Sequence, residues 1–457
     1  MKRIFFVCSF VCIGVFISAQ NAALVKSFQK FERDPQLKSS ISSLYVVNVK
    51  TGKVIFDKNS MIGLAPASTQ KIVTAAAAYE LLGKDFRYKT EFGLVKTGTE
   101  TDLYIKPSGD PTLGSSRWDH TKGTKVLTRV IGAYKTNATS ISKIFILTNG
   151  WNYETIPDGW IWQDIGNYFG AGADVLNWRE NQFDLFLRSG NVIGEKVAIL
   201  ETEPRLYSYA VSSMATSAAK GTGDNSYIYF PLTNDTATIR GTIPVGENRF
   251  IVSGALPDAK KQFAQTLLDS LKAIRKGPIK SSDVIVTSEQ AIQFKKIHTE
   301  TSPALDSIIY WLNKKSINLY AEALVKTVSY ENAKIGSTEK GVELIKEFWK
   351  SKRIHPAELN IQDGSGLSPS NRVTSHALVN ILLYAKKQSW FGGFYNSLPE
   401  YNGMKMKSGT IKDVKGFAGY HTSKAGVEYA FCFLVNNYNG ATSTLVQKMY
   451  TVLNELK

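Results

Sequence analysis

The spacing of apolar and polar positions divides the chain into three stretches of different character. The first begins with a short predicted helix over 24–31. SLYVVNVKTGKVIFDKNS (43–60) alternates apolar and polar positions and turns at Thr51-Gly52, which predicts a β-hairpin. PASTQKIVTAAAAYELLG (66–83) is rich in alanine, the strongest helix former, and stops at Gly83, so a helix is expected there. FRYKTEFGLVKTGTETDLYIK (86–106) predicts a second hairpin. From about 107 to 297 short strand patterns dominate (SKIFILTN, NQFDLFLRS, ATIRGTIPV, NRFIVSG), with few helices, one of them over 259–277. Helical patterns return at 302–316, 319–333 and 337–352, the first two read as amphipathic. GVEYAFCFLVNNY (426–438) reads as a buried strand, and a last helix is expected around 443–455. No internal repeat or low-complexity segment interrupts the pattern.

The opening residues follow a different logic. Lys2 and Arg3 precede the apolar run IFFVCSFVCIGVFI, and Ser18-Ala19-Gln20 follows it. A charged start, an apolar centre and a small-residue exit predict a secretory signal peptide over 1–19. The alternative is a membrane anchor, for which the run is short. Loss of the signal removes Cys8 and Cys12 and leaves Cys432 as the one cysteine, so no internal disulfide is expected. Hydrophobic residues make up 43% of the chain and charged residues 21%, which suits a large core and excludes a disordered chain. The formal charge is +16, but the basic residues are dispersed without a long run. Nucleic acid is therefore not an expected partner. Attraction to an anionic envelope polymer or membrane surface, and plain solubility, both remain open.

Three short patterns carry chemistry. Ser68 and Lys71 stand three residues apart at the start of the alanine-rich helix, where side chains at i and i+3 share a face and backbone N–H groups are unpaired. A serine there becomes a nucleophile if a nearby amine takes its proton. Lysine does so only if burial or another positive charge lowers its pKa, and Leu64, Ile72 and Val73 provide apolar surroundings. Ser316 and Asn318 lie in the break between two helices, suited to proton transfer and to binding a substrate amide, or equally to an ordinary cap. Lys407-Ser408-Gly409-Thr410 precedes Gly416, Gly419 and the buried strand; glycine in a strand admits a second backbone, and lysine with serine suits a carboxylate. A second Lys-Thr-Gly, at 96–98, resembles a hairpin turn and is set aside. The five histidines (His120, His298, His355, His376, His421) match no metal pattern, and Asp363 before Gly364-Ser365-Gly366 rules out a G-x-S-x-G elbow. No cofactor or metal is expected.

Ser-x-x-Lys, Ser-x-Asn and Lys-Ser/Thr-Gly in this order form the motif set of penicillin-binding proteins and class A β-lactamases. With SGDPTL (108–113), SPALDSIIYWLNKKSINLYAEAL (302–324) and DGSGLSPSNRVT (363–374), the chain resembles the low-molecular-mass class C penicillin-binding proteins, the D-alanyl-D-alanine carboxypeptidase/endopeptidase family. The likeness covers nearly the whole chain after the signal. Serine stands at 408 where that family more often has threonine, which keeps the hydroxyl. The resemblance implies an α/β (α+β) transpeptidase-like domain, an antiparallel sheet flanked by helices, formed by 24–87 and 298–457. A large β-rich insertion over 88–297 would separate the two parts.

The resemblance also implies roles. Ser68 would be the nucleophile, Lys71 its base, and Ser316 the proton relay. Asn318, Lys407, Ser408, Gly409 and Thr410 would bind substrate, with the Ser68 and Thr410 amides as oxyanion hole. The expected partners are peptidoglycan stem peptides ending in D-Ala-D-Ala, and β-lactam antibiotics as inhibitors. The expected location is the periplasm or cell envelope, with at most peripheral membrane contact. A catalytically inactive peptidoglycan-binding scaffold and a β-lactamase are the alternatives; the large insertion and the lack of an identifiable deacylating glutamate weigh against the second.

Overall fold

The computed structural model describes residues 22–138, 141–207, 209–232, 235–271, 283–288 and 292–457. The expected signal peptide and the end of the 259–277 helix lie outside them. The chain forms two compact units. One gathers the described residues of 22–80, 309–316 and 345–457; the other gathers those of 81–308 and 317–344.

The first unit is built on a six-stranded antiparallel sheet. Its order is Glu400–Tyr401, Met404–Ile411, Val414–Thr422, Glu428–Asn436, Ile41–Asn48 and Val54–Lys58. The 43–60 hairpin and the buried last strand are both present. Strand alternation puts Leu44, Val46, Phe431 and Phe433 on one face, where they pack against Leu24 and Phe28 of the helix over 22–32 and against Leu445 and Met449 of the helix Thr442–Leu453. The opposite face meets the helix Ser375–Ala385: Ser43 and Ser375 hydroxyls lie 2.6 Å apart, and Tyr420 donates to Leu382 O. Covered on both faces, the central strands are apolar throughout, which is why 426–438 reads as one continuous run.

The alanine-rich helix, Lys71–Leu82, is buried from Lys71 through Tyr79. A helix apolar all round belongs in a core, and methyl side chains let its neighbours approach closely. It runs into Gly83, whose φ of +85° ends it as expected. Tyr79 stacks on Trp390 at 4.7 Å, and Trp390 in turn donates to Glu80 at 2.7 Å.

The second unit holds a five-stranded sheet in the order Val284–Thr287, Ile144–Leu147, Glu100–Lys106, Lys89–Thr97, Lys295–Thr301. The 86–106 hairpin forms its centre, turning at Gly98. The helices Gly123–Asn137 and Ala259–Leu271 share its core. Smaller sheets that include Gln182–Arg188, Phe250–Ala255 and Thr236–Pro244 share a second core. The helix Asn318–Ala333 differs from the amphipathic expectation: residues 318 to 329 are all buried. Its polar side chains are held inside the unit, Tyr320 donating to Glu180, Thr327 to Tyr88, and Lys326 to the carbonyl of Ala173. Those bonds group 317–344 with the middle of the chain.

Candidate active site

Ser68 sits one turn earlier than a simple helix start. Residues Ala67–Gln70 form a 3-10 turn, and the α-helix begins at Lys71. In a 3-10 turn residues i and i+3 eclipse one another, which aligns Ser68 and Lys71 more directly than an α-turn would. Lys71 Nζ is hydrogen-bonded to Ser68 Oγ at 3.0 Å and donates to Ser365 O at 2.9 Å. Lys71 is fully buried, whereas Ser68 is partly exposed. The turn is tied internally by Thr69 Oγ1 donating to Pro66 O at 2.7 Å. Ala67 before it adopts φ +45°, a left-handed conformation that costs a non-glycine residue energy and is retained where surroundings enforce it.

Two backbone segments enforce it. The loop 363–371 wraps one side. Asp363 accepts from Gln70 Nε2 (3.0 Å), Gly366 N (2.8 Å), Ser368 N (2.7 Å) and Asn371 Nδ2 (2.9 Å), and Thr74 donates to Gly364 O. Gly366 has φ +82°, and a Cβ there would meet Ala67 O at 1.9 Å. On another side lies the strand Met404–Ile411. A Cβ on Gly409 would come 2.5 Å from Pro66 O and 2.9 Å from the amide nitrogens of Ser68 and Thr69. Gly409 pairs with Gly416 across the sheet, so both strands present bare backbone where the turn approaches.

Lys407 and Ser316 meet in the same unit. Lys407 Nζ donates to Ser316 Oγ at 2.9 Å and to Ser408 O at 2.8 Å. Ser316 follows the helix Leu305–Lys314 and has φ +57°. The Lys407 amine is held well below the usual lysine range, first by burial and then by the charges of Lys71 and Lys415. Ser408 is partly exposed and Thr410 exposed. Among the described residues the sheet order leaves 407–411 without a strand on its outer side, since Glu400–Tyr401 pairs only with Met404 and Lys405.

The structure thus brings Ser68, Lys71, Ser316, Lys407, Ser408, Gly409 and Thr410 into one unit. Asn318 opens the next helix and belongs to the other unit, where its Nδ2 donates to Phe169 O at 2.6 Å. Lys96 is exposed on the 86–106 hairpin. Sequence reasoning missed three contributors: the Ser365 carbonyl, the Asp363 bracket, and Lys415. The glycines of DGSG signal a tight loop, but no local pattern says what the loop holds. Among the described residues no cluster of metal-ligating side chains occurs, and no helix is long and apolar enough to cross a membrane.

The profile of the D-Ala-D-Ala carboxypeptidase 3 (S13) family matches residues 24–400. The chain belongs to that family. A D-alanyl-D-alanine carboxypeptidase of Actinomadura sp. (strain R39) is 26% identical over 459 residues, covering 92% of this chain and 82% of that protein. The D-alanyl-D-alanine carboxypeptidase DacB of Haemophilus influenzae is 23% identical, covering 86% of this chain and 84% of that one. The fold is that of penicillin binding protein 4 from Haemophilus influenzae, with a TM-score of 0.78 at 22% identity over 92% of this chain and 97% of the other. A second structure of that protein, complexed with a novel β-lactam, gives a TM-score of 0.73 over 95% of this chain.

Proposed function

We propose that this family member is an exported serine D-alanyl-D-alanine carboxypeptidase that acts on peptidoglycan stem peptides through an acyl-enzyme, with DD-endopeptidase cleavage available to the same residues. The observation that carries the reading is the pair of lysine–serine contacts, Lys71 with Ser68 at 3.0 Å and Lys407 with Ser316 at 2.9 Å, set on one buried framework. A serine alone at the start of a helix is common; a serine bonded to a fully buried amine, beside a second buried amine, is costly to maintain without chemistry to perform.

Ser68 Oγ attacks the carbonyl carbon of the penultimate D-alanine, and neutral Lys71 takes the hydroxyl proton. The oxyanion is assigned to the backbone N–H groups of Ser68 and Thr410, the missing side chain of Gly409 leaving the Ser68 amide uncovered. Loss of one such donor costs about 3–4 kcal/mol. Because Lys407 donates to Ser316 Oγ, the Ser316 hydroxyl is left to pass its own proton to the nitrogen of the departing D-alanine as the C–N bond breaks, and Ser316 is reprotonated by the Lys407 amine that donates to it. Asn318 is assigned to the substrate amide, and Ser408 and Thr410 to its terminal carboxylate. The edge of 407–411, beyond the pairing with Glu400–Tyr401, suits an extended peptide added as a further strand. Water then attacks the ester carbonyl and releases Ser68.

We place the site in the cell envelope, on the signal-like residues 1–19 and the polymeric substrate. The catalytic part is taken as 24–87 with 298–457, and the β-rich 88–297 as its insertion. Incubation with fluorescent penicillin tests the reading. A stable label on the wild type, absent from Ser68→Ala, supports it, together with D-alanine release from a D-Ala-D-Ala pentapeptide in the presence of EDTA. Rapid turnover of the label indicates a β-lactamase instead, and no label an inactive scaffold.

A further inference from the structure

Lys415 stands outside every motif, yet it is the third amine of the buried lysine group. It lies on the strand Val414–Thr422, directly opposite Thr410. Cross-strand partners point to the same face of a sheet, so Lys415 shares its side with Thr410 and not with Lys407. Its Nζ donates to Thr410 Oγ1 at 2.8 Å and lies 4.8 Å from the centre of the Phe417 ring. Only 8% of the residue is exposed. Among the described residues no carboxylate lies within ion-pair distance of the Lys415 or Lys407 amine. Each feels the other only as a like charge or not at all, and burial lowers the Lys415 pKa to about 8.

A buried cation without an anion is an expensive element of a fold. Its one hydrogen bond shows what it does. The ammonium occupies the acceptor side of Thr410 Oγ1, so the Thr410 hydroxyl is left to donate its own proton elsewhere. Thr410 is exposed, on the stretch of strand that has no outer neighbour. An anion accepting from Thr410 at that edge would meet a hydroxyl polarised by the charge behind it, in surroundings that screen the charge poorly.

We propose that Lys415 is the positioning residue for carboxylate recognition, aiming and polarising the Thr410 hydroxyl toward the terminal carboxylate of the acyl donor. The inference rests on the serine acyl-transfer reading above and adds to it the specificity for a free carboxylate. Lys407, sharing its hydrogen bonds between Ser316 and Ser408 O, is committed to the proton path; Lys415 serves binding.

The test compares acylation of Ser68 by benzylpenicillin with acylation by its uncharged methyl ester, in the wild type, Lys415→Met and Lys415→Arg. A hydrogen bond to a charged group corresponds to roughly 10- to 100-fold in rate. The free acid is therefore expected to react about that much more slowly with Lys415→Met. The ester should react within about twofold of the wild-type rate, which also reports an intact cleft, and Lys415→Arg should restore the preference for the acid. Equal slowing of acid and ester, or no slowing of either, overturns the assignment while leaving the acyl-enzyme reading intact. A wild type acylated by neither compound overturns that reading, and the inference with it.

Discussion

Replacing Gly409 by alanine tests how Ser68, the proposed nucleophile, is held. The new methyl carbon would lie 2.5 Å from Pro66 O and 2.9 Å from the Ser68 and Thr69 nitrogens, where ordinary contact begins at 3.4 Å. The strand and the turn must part by roughly 0.9 Å at Pro66. Every obstructing atom is backbone, so no side chain can swing aside. Nor can the turn simply retreat, because Gly366 on its other side leaves no space against Ala67 O. The displacement passes to Ser68 and its amide. Misplacing a reacting group by about 1 Å costs roughly 100-fold in rate, or about 2.7 kcal/mol of barrier. The assay is the second-order rate of labelling by fluorescent penicillin, with circular dichroism to establish folding. Gly416→Ala is the comparison: its Cβ meets side-chain methyls first, Leu434 Cδ2 at 2.7 Å and Thr69 Cγ2 at 3.2 Å, and lies 3.6 Å from Pro66 O, so a smaller loss than for Gly409→Ala is expected. A folded Gly409→Ala enzyme that labels within threefold of the wild type would refute the claim that close backbone approach positions Ser68.

Lys407→Ala should abolish β-lactam acylation, while Lys96→Ala, on its exposed hairpin, should label at the wild-type rate; the reverse result would sink the motif assignment. Lys415→Met should be more stable than the wild type at pH 7, because the folded-state pKa is about 8 against an ordinary 10.5, a cost of about 3 kcal/mol for holding the charge, less what the Thr410 bond returns. The cost is fully present below pH 8, where the lysine is charged in both folded and unfolded chains. It fades as pH rises toward 10.5, so urea midpoints of the two proteins should converge there; a gap that is constant with pH points to packing alone. Under the proposed proton relay, Ser316→Ala should slow D-alanine release more than it slows penicillin binding in the absence of turnover; equal effects would remove that role. N-terminal sequencing of the envelope fraction should begin near Gln20, and an intact Met1 would contradict export with cleavage.

The sequence was most legible where one physical signal dominated. The hairpin at 43–60, the continuous apolar run 426–438 and the stop at Gly83 follow from alternation, burial on both faces and left-handed backbone, and each is local. The helix Gly123–Asn137 was not picked out because a single stripe of Val126, Val130 and Tyr134 carries its burial among polar neighbours. The amphipathic reading of 319–333 failed because Glu322 and Lys326 look solvent-facing in a line of letters but are both buried, Lys326 beside Glu154, Asp174 and Glu322. At the site, the motif residues could be named because their chemistry is unusual at that spacing. Asp363, Ser365 and Lys415 could not. Asp363 and Ser365 meet the side chains of Gln70 and Lys71, nearly 300 residues away in sequence. Lys415 is a neighbour of Thr410 only through the two-residue turn that sets the hairpin register.

The pairing of Ile41–Asn48 with Glu428–Asn436 has a consequence for how the protein comes to exist. Two strands from opposite ends of the chain lie side by side in the middle of the sheet, so the first hairpin must wait, marginal on its own, until the last strand has been made. Contacts so distant in sequence close slowly. The turn that bears Ser68 waits as well, since both of its supports, 363–371 and Met404–Ile411, come late. A growing chain therefore has Ser68 and Lys71 but not the framework that sets one against the other, and penicillin labelling after dilution from denaturant should appear only with the final folding phase.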